Sequence, residues 1–487
     1  MIQTIFLHIK PNRERYMLGI LLVLACITGW AFLDAKPLHL DEVATIAISN
    51  GDGIWEKMWK YEGNMWFYYF FIHHWLILGS SEFILRFPSI LFGVAALIPI
   101  YYIGRDLYGL PVARLSVILL ALHPLFVRNM QYARAYTLMA LFAALATYFF
   151  INMQRKNSSR LLVLAYAISG VLAIYAHVYA IFLLIAHGLY VLTIATKERI
   201  FRIGSAAVIV ALGILPLLMA PSGKGSMLSW LGPPDFFSVV AGGTVLLGDW
   251  LPLAGFSGLL LGFVLLRDKF RFWFEEKLRL QVLMVIVPFT IAIAVSLAGK
   301  PIYTPQYLSV SLPAVVLLVA YAVCSVCQEN LRKSIIAILL FLSLIRLGYW
   351  YAEVPLRYVT IPNKNAEWDR IVLDIANAGG QPEPVLVLPT YTHIVYDYYA
   401  YHLTSTRTPA LPLRPSNLVT GISSPFETTL LEEVKSSASR VWVVYNKRAG
   451  DDDTPEFRQV RGVLAPTHRI TQTMPYYETT VYLYEKR

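Results

Sequence analysis

Two adjacent carboxylates near the N-terminus, Asp41 and Glu42, are the first residues whose type and placement could do chemistry. They precede a stretch with apolar residues at helical spacing, from Val43 to Ala47. Acidic side chains suit the first turn of a helix because of its dipole. A carboxylate at a membrane surface is also a suitable general base for a hydroxyl nucleophile. The pair by itself is compatible with both the structural and the catalytic interpretation.

A second group consists of two arginines, Arg128 and Arg134, within one short polar segment. Arginine side chains often reach out to lipid phosphates from the end of a membrane helix. The guanidinium is also a rigid fork of donors that matches phosphate oxygens. The sequence therefore leaves two explanations open for these arginines, a membrane anchor and a phosphate clamp.

Two single residues have the same ambiguity. His177 interrupts a long apolar run, where a histidine is more often structural than a ligand or a base. Lys300 precedes a proline and could contact either a substrate phosphate or a lipid headgroup. The three cysteines indicate neither a disulfide framework nor a metal site.

The high apolar content of the chain indicates that helices within a membrane position these residues. Apolar residues make up 57% of the 487-residue chain and charged residues 15%, whereas soluble domains have about 45–50% and about 25%. A bilayer accommodates this excess. The net charge of +10 is explained by retention of Lys and Arg on the cytoplasmic side, and not by nucleic-acid binding.

Apolar runs of nearly spanning length predict about eleven transmembrane helices. The first run lacks a signal-peptide cleavage site and is interpreted as an uncleaved span. The predicted spans cover residues 16–33, 84–103, 113–128, 134–151, 161–176, 178–196, 203–220, 251–266, 280–298, 308–326 and 334–351.

The distribution of positive charge fixes the predicted orientation. If the short apolar run 65–79 lies flat, 18 Lys and Arg fall in inner loops and eight in outer loops, and the tally reverses if that run crosses. The positive-inside rule selects the first arrangement. The N-terminus is then cytoplasmic, the first external loop covers 34–85, and 236–248 is a surface or re-entrant helix.

The residue patterns beyond position 353 predict a small extracytoplasmic α/β domain. Ala366–Ala378 has a helical apolar period, and strands are expected at Pro384–Leu388, Arg440–Tyr445 and Thr480–Tyr484. The predicted organisation is thus a transmembrane module over 1–352 and a soluble domain over 353–487.

Several segments, taken in order, resemble one family. They are His39-Leu40-Asp41-Glu42, Asn64-Met65-Trp66-Phe67-Tyr68-Tyr69, Gly79 to Ser89, Ile103-Gly104-Arg105 with Tyr108-Gly109, Gln131-Tyr132-Ala133-Arg134-Ala135-Tyr136, Tyr303 to Ala314, Trp368, and Val385 to Leu388. This set resembles the GT-C superfamily of membrane glycosyltransferases. It is most similar to glycosyltransferase family 39, with its protein O-mannosyltransferase and lipid A aminoarabinose transferase relatives. The resemblance covers the first 200 residues well and the rest loosely.

The chain departs from this family at two places. The usual prolines before Tyr68 are absent, and Gln306 stands where the family usually has arginine. If that arginine normally contacts the donor phosphate, Arg134, Arg128 or Lys300 must carry more of that contact here.

The resemblance implies an inverting transfer from a polyprenyl-phosphate-linked sugar donor at the outer face of the plasma membrane. Asp41 would be the general base, and Glu42 would orient Asp41 or the acceptor. Arg134, with Arg128 or Lys300, would stabilise the departing phosphate. The implied substrate pocket comprises Asn64, Tyr68, Tyr136, His177, Gln306 and Tyr307.

Other functions stay open at this stage. The main alternative is a transporter or flippase of a lipid-linked saccharide, with the same arginines holding the phosphate, although no related halves of the transporter kind are visible. A non-catalytic assembly partner is a third interpretation. The sugar, the acceptor (a lipid, a glycan or a protein) and a requirement for a divalent metal ion are undetermined.

Overall fold

The structure is a computed structural model that describes residues 13–61, 64–156, 158–220, 232–267, 275–354, 363–378, 383–403, 428–447 and 453–487. The chain divides into two compact units. Unit 1 comprises Met1–Leu33 and Ser49–Asn363, and unit 2 comprises Asp34–Ile48 and Lys364–Arg487.

Unit 1 is helical. Its helices are α1 (Arg13–Trp30), α3 (Ile54–Tyr61), α4 (Trp66–Trp75), α5 (Glu82–Tyr108), α6 (Leu110–Ala121), α7 (Pro124–Met130), α8 (Tyr136–Met153), α9 (Arg160–Ala176), α10 (Ala180–Thr193), α11 (Lys197–Gly213), α12 (Leu215–Met219), α13 (Phe236–Leu246), α14 (Leu251–Arg267), α15 (Glu276–Leu297), α16 (Leu312–Cys324) and α17 (Glu329–Tyr351). Short 3₁₀ helices cover Leu76–Leu78 and Pro305–Ser311. Helix α2 (Leu40–Ser49) lies in unit 2 except for its last residue.

The predicted helical membrane fold is confirmed, although the count of eleven spans is not. Among the described residues, five helices are long and apolar enough to cross a membrane, or up to seven if two bent pairs each count as one span. Every predicted span falls on one helix or on two consecutive helices, and some of these helices are short, such as α9 and α10. The break predicted at His177 is present, because α9 ends at Ala176 and α10 begins at Ala180.

The predicted continuous span over 113–128 is instead two helices, α6 and α7, bent by 62°. The second helix begins at Pro124. Proline has no backbone N–H and its ring clashes with the preceding helical turn, so a straight helix does not continue through it. Helices α13 and α14 form the other bent pair, with an angle of 79°.

The run predicted to lie flat forms α4, which has only 10 residues. At ~1.5 Å per residue such a helix covers roughly 15 Å, half of the ~30 Å hydrocarbon core. Its length is therefore consistent with a segment that does not cross. One face of α4 is buried within unit 1 and includes Trp66, Tyr68, Tyr69 and Ile72.

Unit 2 contains a four-stranded sheet in the order β1-β2-β4-β3. Strands β1 (Val385–Leu388) and β2 (Arg440–Asn446) pair in parallel, and β4 (Thr479–Lys486) pairs antiparallel with β2 and with β3 (His468–Tyr476). The helices are α18 (Trp368–Ala378), α19 (His393–Leu403), α20 (Thr428–Ser437) and α21 (Pro455–Leu464). The predicted α/β domain is thus confirmed, with β3 and three further helices that the sequence did not predict.

The core of unit 2 follows from the alternation of its strands. One face of the sheet packs against the apolar sides of α20 and α21, and the buried set is Leu386, Leu388, Leu431, Val434, Val441, Val443, Tyr445, Phe457, Val460, Leu464 and Tyr484. Strand β1 is buried along its whole length, so both of its faces are covered, as is usual where strands pair in parallel.

Residues 34–48 belong to unit 2, whereas the sequence placed them in the transmembrane module. Hydrogen bonds to the later part of the chain attach this segment. The backbone N–H of Leu38 donates to the Tyr399 hydroxyl at 2.6 Å, and the Asn365 side chain donates to the Pro37 carbonyl at 2.7 Å. Sequence proximity suggested a loop of the membrane module, but these contacts join it to residues more than three hundred positions later.

Candidate functional site

Arg134 is a buried arginine with a defined partner. It lies in the turn between α7 and α8, is 9% exposed, and donates from Nη1 to the Tyr69 hydroxyl at 2.9 Å. Tyr69 is itself fully buried on α4. A snorkelling arginine keeps its charged group in water or among headgroups. The enclosed guanidinium therefore argues against a simple membrane anchor.

Hydrogen bonds hold the turn that carries Arg134. The Gln131 side chain donates to the Ala31 carbonyl at 2.6 Å and accepts from the indole N–H of Trp350 at 2.8 Å. Ser89 donates to the Tyr132 carbonyl at 2.9 Å. These contacts come from three separate helical regions, so the segment just before Arg134 is held in place.

Tyr68 takes a different direction from Tyr69. It is fully buried, and its hydroxyl lies 3.2 Å from the Ser89 hydroxyl, which supports the same turn. Neighbouring residues on a helix point about 100° apart, because one turn takes 3.6 residues, so the two tyrosines leave α4 in different directions. The sequence placed Tyr68 in the pocket. The structure places Tyr69 against the arginine.

Four rings gather beside this turn, and we call Tyr136, His177, Tyr179 and Tyr307 the aromatic cluster. The ring centre of His177 lies 4.9 Å from that of Tyr307, 5.7 Å from that of Tyr136 and 5.6 Å from that of Tyr179. Tyr179 and Tyr307 are 5.3 Å apart in mostly edge-to-face contact, a favoured geometry for aromatic pairs. Three of the predicted pocket residues are therefore brought together, and Tyr179 joins them.

Asn64 fixes the position of this cluster. Its side-chain oxygen accepts from the backbone N–H of Val178 at 2.9 Å and from that of Met65 at 2.9 Å. The first of these bonds joins the start of α4 to the turn between α9 and α10. The predicted pocket residue Asn64 thus acts on the site through the backbone next to His177.

His177 ends helix α9 and is 1% exposed. Its Nδ1 accepts a hydrogen bond from the backbone N–H of Tyr179 at 3.3 Å. Burial, and secondarily the charge of Arg134, lowers the pKa of His177 to about 3. The imidazole is therefore neutral at physiological pH, with its proton on Nε2.

Arg128 lies on aromatic rings rather than at an ion pair. Its guanidinium carbon is 3.9 Å from the ring centre of Tyr132 and 5.9 Å from that of Tyr136, and its Nη1 donates weakly to Asn129 at 3.4 Å. A cation over a tyrosine face is attracted by the ring quadrupole. This contact orients Arg128 toward the same group of tyrosines that Arg134 adjoins.

Lys300 and Gln306 show less involvement. Lys300 is exposed and Gln306 is half-buried. Within the described parts of the chain, neither side chain makes a hydrogen bond or an ion pair. Lys300 thus stays a secondary candidate for a phosphate contact.

The acidic pair lies in unit 2, at the start of α2. Glu42 is fully buried, and its carboxylate accepts from the backbone N–H of His39 at 2.9 Å. A glutamate that bonds back to the N-cap residue forms half of a capping box and stabilises the helix start. The geometry therefore gives Glu42 a structural contact at the helix start, and the orienting role expected from the sequence stays a prediction.

Asp41 is more accessible than its neighbour. Its side chain is 41% exposed, and one carboxylate oxygen lies 3.9 Å from Nδ1 of His39. The capping contact of Glu42 and the attachment of Leu38 to Tyr399 hold the helix start around it. Of the two acids, Asp41 is the one that a substrate can reach.

The sequence analysis missed Tyr69, Tyr179 and Tyr399. Tyr69 directly follows the predicted pocket residue Tyr68, and Tyr179 lies two positions after the predicted pocket residue His177. The sequence therefore indicated the right segments but not which side chain in each segment faces the site. Tyr399 had no signal, because nothing near position 399 indicates a partner near position 38.

Comparison with known proteins identifies the architecture. Residues 65–221 match the family described as dolichyl-phosphate-mannose-protein mannosyltransferase. No curated protein matches the chain. The match region includes the Arg134–Tyr69 contact and most of the aromatic cluster.

The solved proteins that share the fold include two that match most of the chain. The first is ArnT from Cupriavidus metallidurans, crystallised with undecaprenyl phosphate, with a TM-score of 0.60 at 14% identity and coverage of 98% of each chain. Its apo structure matches equally well, with a TM-score of 0.60 over 97% of this chain. The second is the archaeal oligosaccharyltransferase AglB from Archaeoglobus fulgidus, with a TM-score of 0.51 at 12% identity over 89% of this chain and 70% of that one. The chain therefore shares the fold of ArnT and AglB, and its residues 65–221 match the family described as dolichyl-phosphate-mannose-protein mannosyltransferase.

Proposed function

We propose that this protein is an inverting glycosyltransferase that moves a sugar from a polyprenyl-phosphate donor to an acceptor hydroxyl. The observation that carries the proposal is the buried Arg134, hydrogen-bonded to Tyr69 within the region that matches the mannosyltransferase family. A charge is costly to bury, so a fixed and enclosed guanidinium suits an anionic ligand such as a phosphate.

The balance of the reaction is simple. The acceptor oxygen forms a bond to the anomeric carbon while the bond from that carbon to the phosphate oxygen breaks. The electron pair leaves with the polyprenyl phosphate, and the acceptor proton goes to a base. We assign the base to Asp41, the accessible acid of the pair.

Arg134 stabilises the charge that develops on the departing phosphate. Arg128, which lies over the neighbouring tyrosine ring, supplies additional positive charge. Lys300 is the second candidate for this contact with the phosphate. Gln306 is uncharged, so stabilisation of the departing phosphate depends on the arginines. The aromatic cluster and Asn64 form the walls near the donor.

The proposed location is the plasma (inner) membrane, with the N-terminus in the cytoplasm and unit 2 on the outer side. The similarity in fold to ArnT, crystallised with undecaprenyl phosphate, supports a polyprenyl-phosphate donor. The positive charge of the predicted inner loops supports the orientation.

The test is transfer of label by the purified full-length protein in detergent. The probes are undecaprenyl-phosphate-linked sugars carrying a radioactive label, and the acceptor source is membranes from a strain that lacks the gene. Label appearing in an envelope glycan, lipid or protein supports the proposal, and a parallel sample with EDTA determines the metal requirement. Absence of transfer from every donor tested would refute it.

The runner-up function is a flippase for a lipid-linked saccharide. It predicts that the protein in liposomes moves the labelled lipid between leaflets with the sugar–phosphate bond intact. Movement without bond cleavage would replace the transferase proposal.

A further inference from the structure

One buried group in the site has a hydrogen-bond donor that the described residues do not use. Nε2 of His177 is buried and has no hydrogen-bond partner among the described residues. Its Nδ1 is already an acceptor for the Tyr179 N–H, so the neutral ring must carry its proton on Nε2. A buried N–H without an acceptor is costly, so native structures rarely retain one without a ligand or water as its partner.

The surroundings offer this N–H little compensation. The ring of His177 meets Tyr307 at an interplanar angle of 62° and a centre distance of 4.9 Å. An N–H directed at an aromatic face gains only a weak contact. The rings of Tyr136 and Tyr179 close two further sides, so the imidazole has little freedom to turn elsewhere.

The nearby charge indicates what kind of atom would accept this hydrogen bond. Arg134 is close enough for its positive charge to act on His177. A cation and a neutral N–H donor that lie near one another are complementary to an anionic oxygen, because both contribute positive potential. A protonated histidine beside the arginine would instead be repelled.

We propose that His177 donates a hydrogen bond from Nε2 to a phosphate oxygen of the polyprenyl-phosphate carrier, beside the contact made by Arg134. This assignment rests on the proposed function and specifies how the carrier phosphate is bound. His177 is thus a donor-binding residue and not an acid, a base or a metal ligand. The bond shifts no proton, so the reaction balance is unchanged.

Two conservative variants separate this role from a structural one. In His177→Asn the amide can take the place of Nδ1 and keep the contact with the Tyr179 N–H, but nothing reaches the place of Nε2. In His177→Gln the longer amide reaches the place of Nε2. A structural role predicts that asparagine is the better substitute, whereas a phosphate contact predicts that glutamine is.

The measurement is the affinity of the full-length protein in detergent for undecaprenyl phosphate, with undecaprenol as the uncharged comparison. One hydrogen bond to a charged group corresponds to about 10- to 100-fold in affinity. We expect His177→Asn to lose affinity for undecaprenyl phosphate by this factor, and His177→Gln to retain most of it. Undecaprenol binding stays unchanged in both variants.

His187→Asn is the matched control. His187 is also fully buried, but its ring nitrogens lie 3.3 Å from the Thr147 hydroxyl and 3.4 Å from the Tyr166 hydroxyl. Loss of a partnered imidazole should leave lipid-phosphate affinity unchanged. Thermal unfolding of all three variants separates loss of binding from loss of fold.

The outcomes distinguish this inference from the proposed function. If the wild type binds undecaprenyl phosphate and transfers sugar but His177→Asn binds as tightly as the wild type, only the role of His177 is overturned. Normal lipid-phosphate affinity with impaired transfer would place the Nε2 contact on the sugar, which also contradicts the phosphate assignment. If the wild type binds no lipid phosphate and transfers no sugar, both proposals fail.

Discussion

The hydroxyl of Tyr399 accepts a hydrogen bond from the backbone N–H of Leu38 at 2.6 Å, and both residues are buried in unit 2. Leu38 lies three positions before Asp41, so this bond fixes the segment that leads into the helix carrying the proposed base. The C-terminal domain therefore has a direct structural role in holding that helix.

Tyr399→Phe should lower turnover while leaving donor affinity unchanged. The variant keeps the ring but removes the acceptor of the Leu38 N–H, which loosens the segment before Asp41. Misplacement of a catalytic group is costly, so we expect a loss of about tenfold in kcat. Tyr401→Phe, on the same helix and 78% exposed, is the control. Equal kcat for Tyr399→Phe and the wild type would show that the bond does not position Asp41.

Asp41→Asn should reduce sugar transfer by at least about 10²-fold, because the amide keeps the size of the side chain but cannot accept the proton. The protein should still insert and purify normally, since Asp41 is partly exposed. Near wild-type turnover in Asp41→Asn would show that Asp41 is not the general base. Asp41 would then have only a structural role in the first turn of its helix.

Glu42 should behave differently from Asp41, because its carboxylate caps the helix. Glu42→Gln keeps an acceptor for the His39 N–H and should cost much less activity than Asp41→Asn. Glu42→Ala removes that acceptor and should destabilise the protein by roughly 0.5–2 kcal/mol. Thermal unfolding and transfer assays on both variants check this. A larger loss of kcat in Glu42→Gln than in Asp41→Asn would move the catalytic role to Glu42.

Arg134→Lys should weaken donor use by about tenfold and Arg134→Ala by about 10²–10³-fold, because lysine cannot reproduce the planar fork of donors. The measurement is the dependence of the transfer rate on donor concentration. Arg160→Lys is the control, since Arg160 is exposed at the start of α9. Arg86 is unsuitable as a control, because it is only 2% exposed and donates to the Leu33 carbonyl at 2.8 Å.

If Arg134→Lys matches the wild type, the contact with Tyr69 is structural. The phosphate contact would then pass to Arg128 or Lys300. Tyr69→Phe provides an independent check, because it frees Arg134 from one hydrogen bond without changing its charge.

Asp249 and Arg346 should be important for stability. Their side chains form a salt bridge at 2.8 Å with both fully buried, and Arg346 also donates to Asn363 at 2.9 Å. Removing one partner leaves a buried charge, so Arg346→Met should cost about 3–5 kcal/mol of unfolding free energy. Lys333→Met, on the same helix and in an exposed pair with Glu329, should cost less than about 1 kcal/mol. Similar melting temperatures for both variants would contradict this prediction.

The predicted orientation is tested by reporter fusions. A reporter that is active only outside the cytoplasm should be active after Arg487 and silent after Lys156, because the positive-inside rule places these two positions on opposite sides. The reverse result at either position would refute the predicted topology.

The sequence by itself determined the membrane-embedded helical fold and the α/β tail. Apolar run length and residue periodicity are local properties, so the helix at Trp368–Ala378 and the strands at Val385–Leu388 and Arg440–Asn446 follow from short windows. The ordered motifs also selected Asp41 and Arg134 as candidates before any contact was known.

Only the tertiary structure decided which side chains meet. Tyr69 meets Arg134 and its neighbour Tyr68 meets Ser89, contacts set by the rotation of α4 against the turn before α8. The segment before Asp41 belongs with Tyr399, 361 positions beyond Leu38, because folding joins residues according to packing and hydrogen bonding and not according to their distance along the chain.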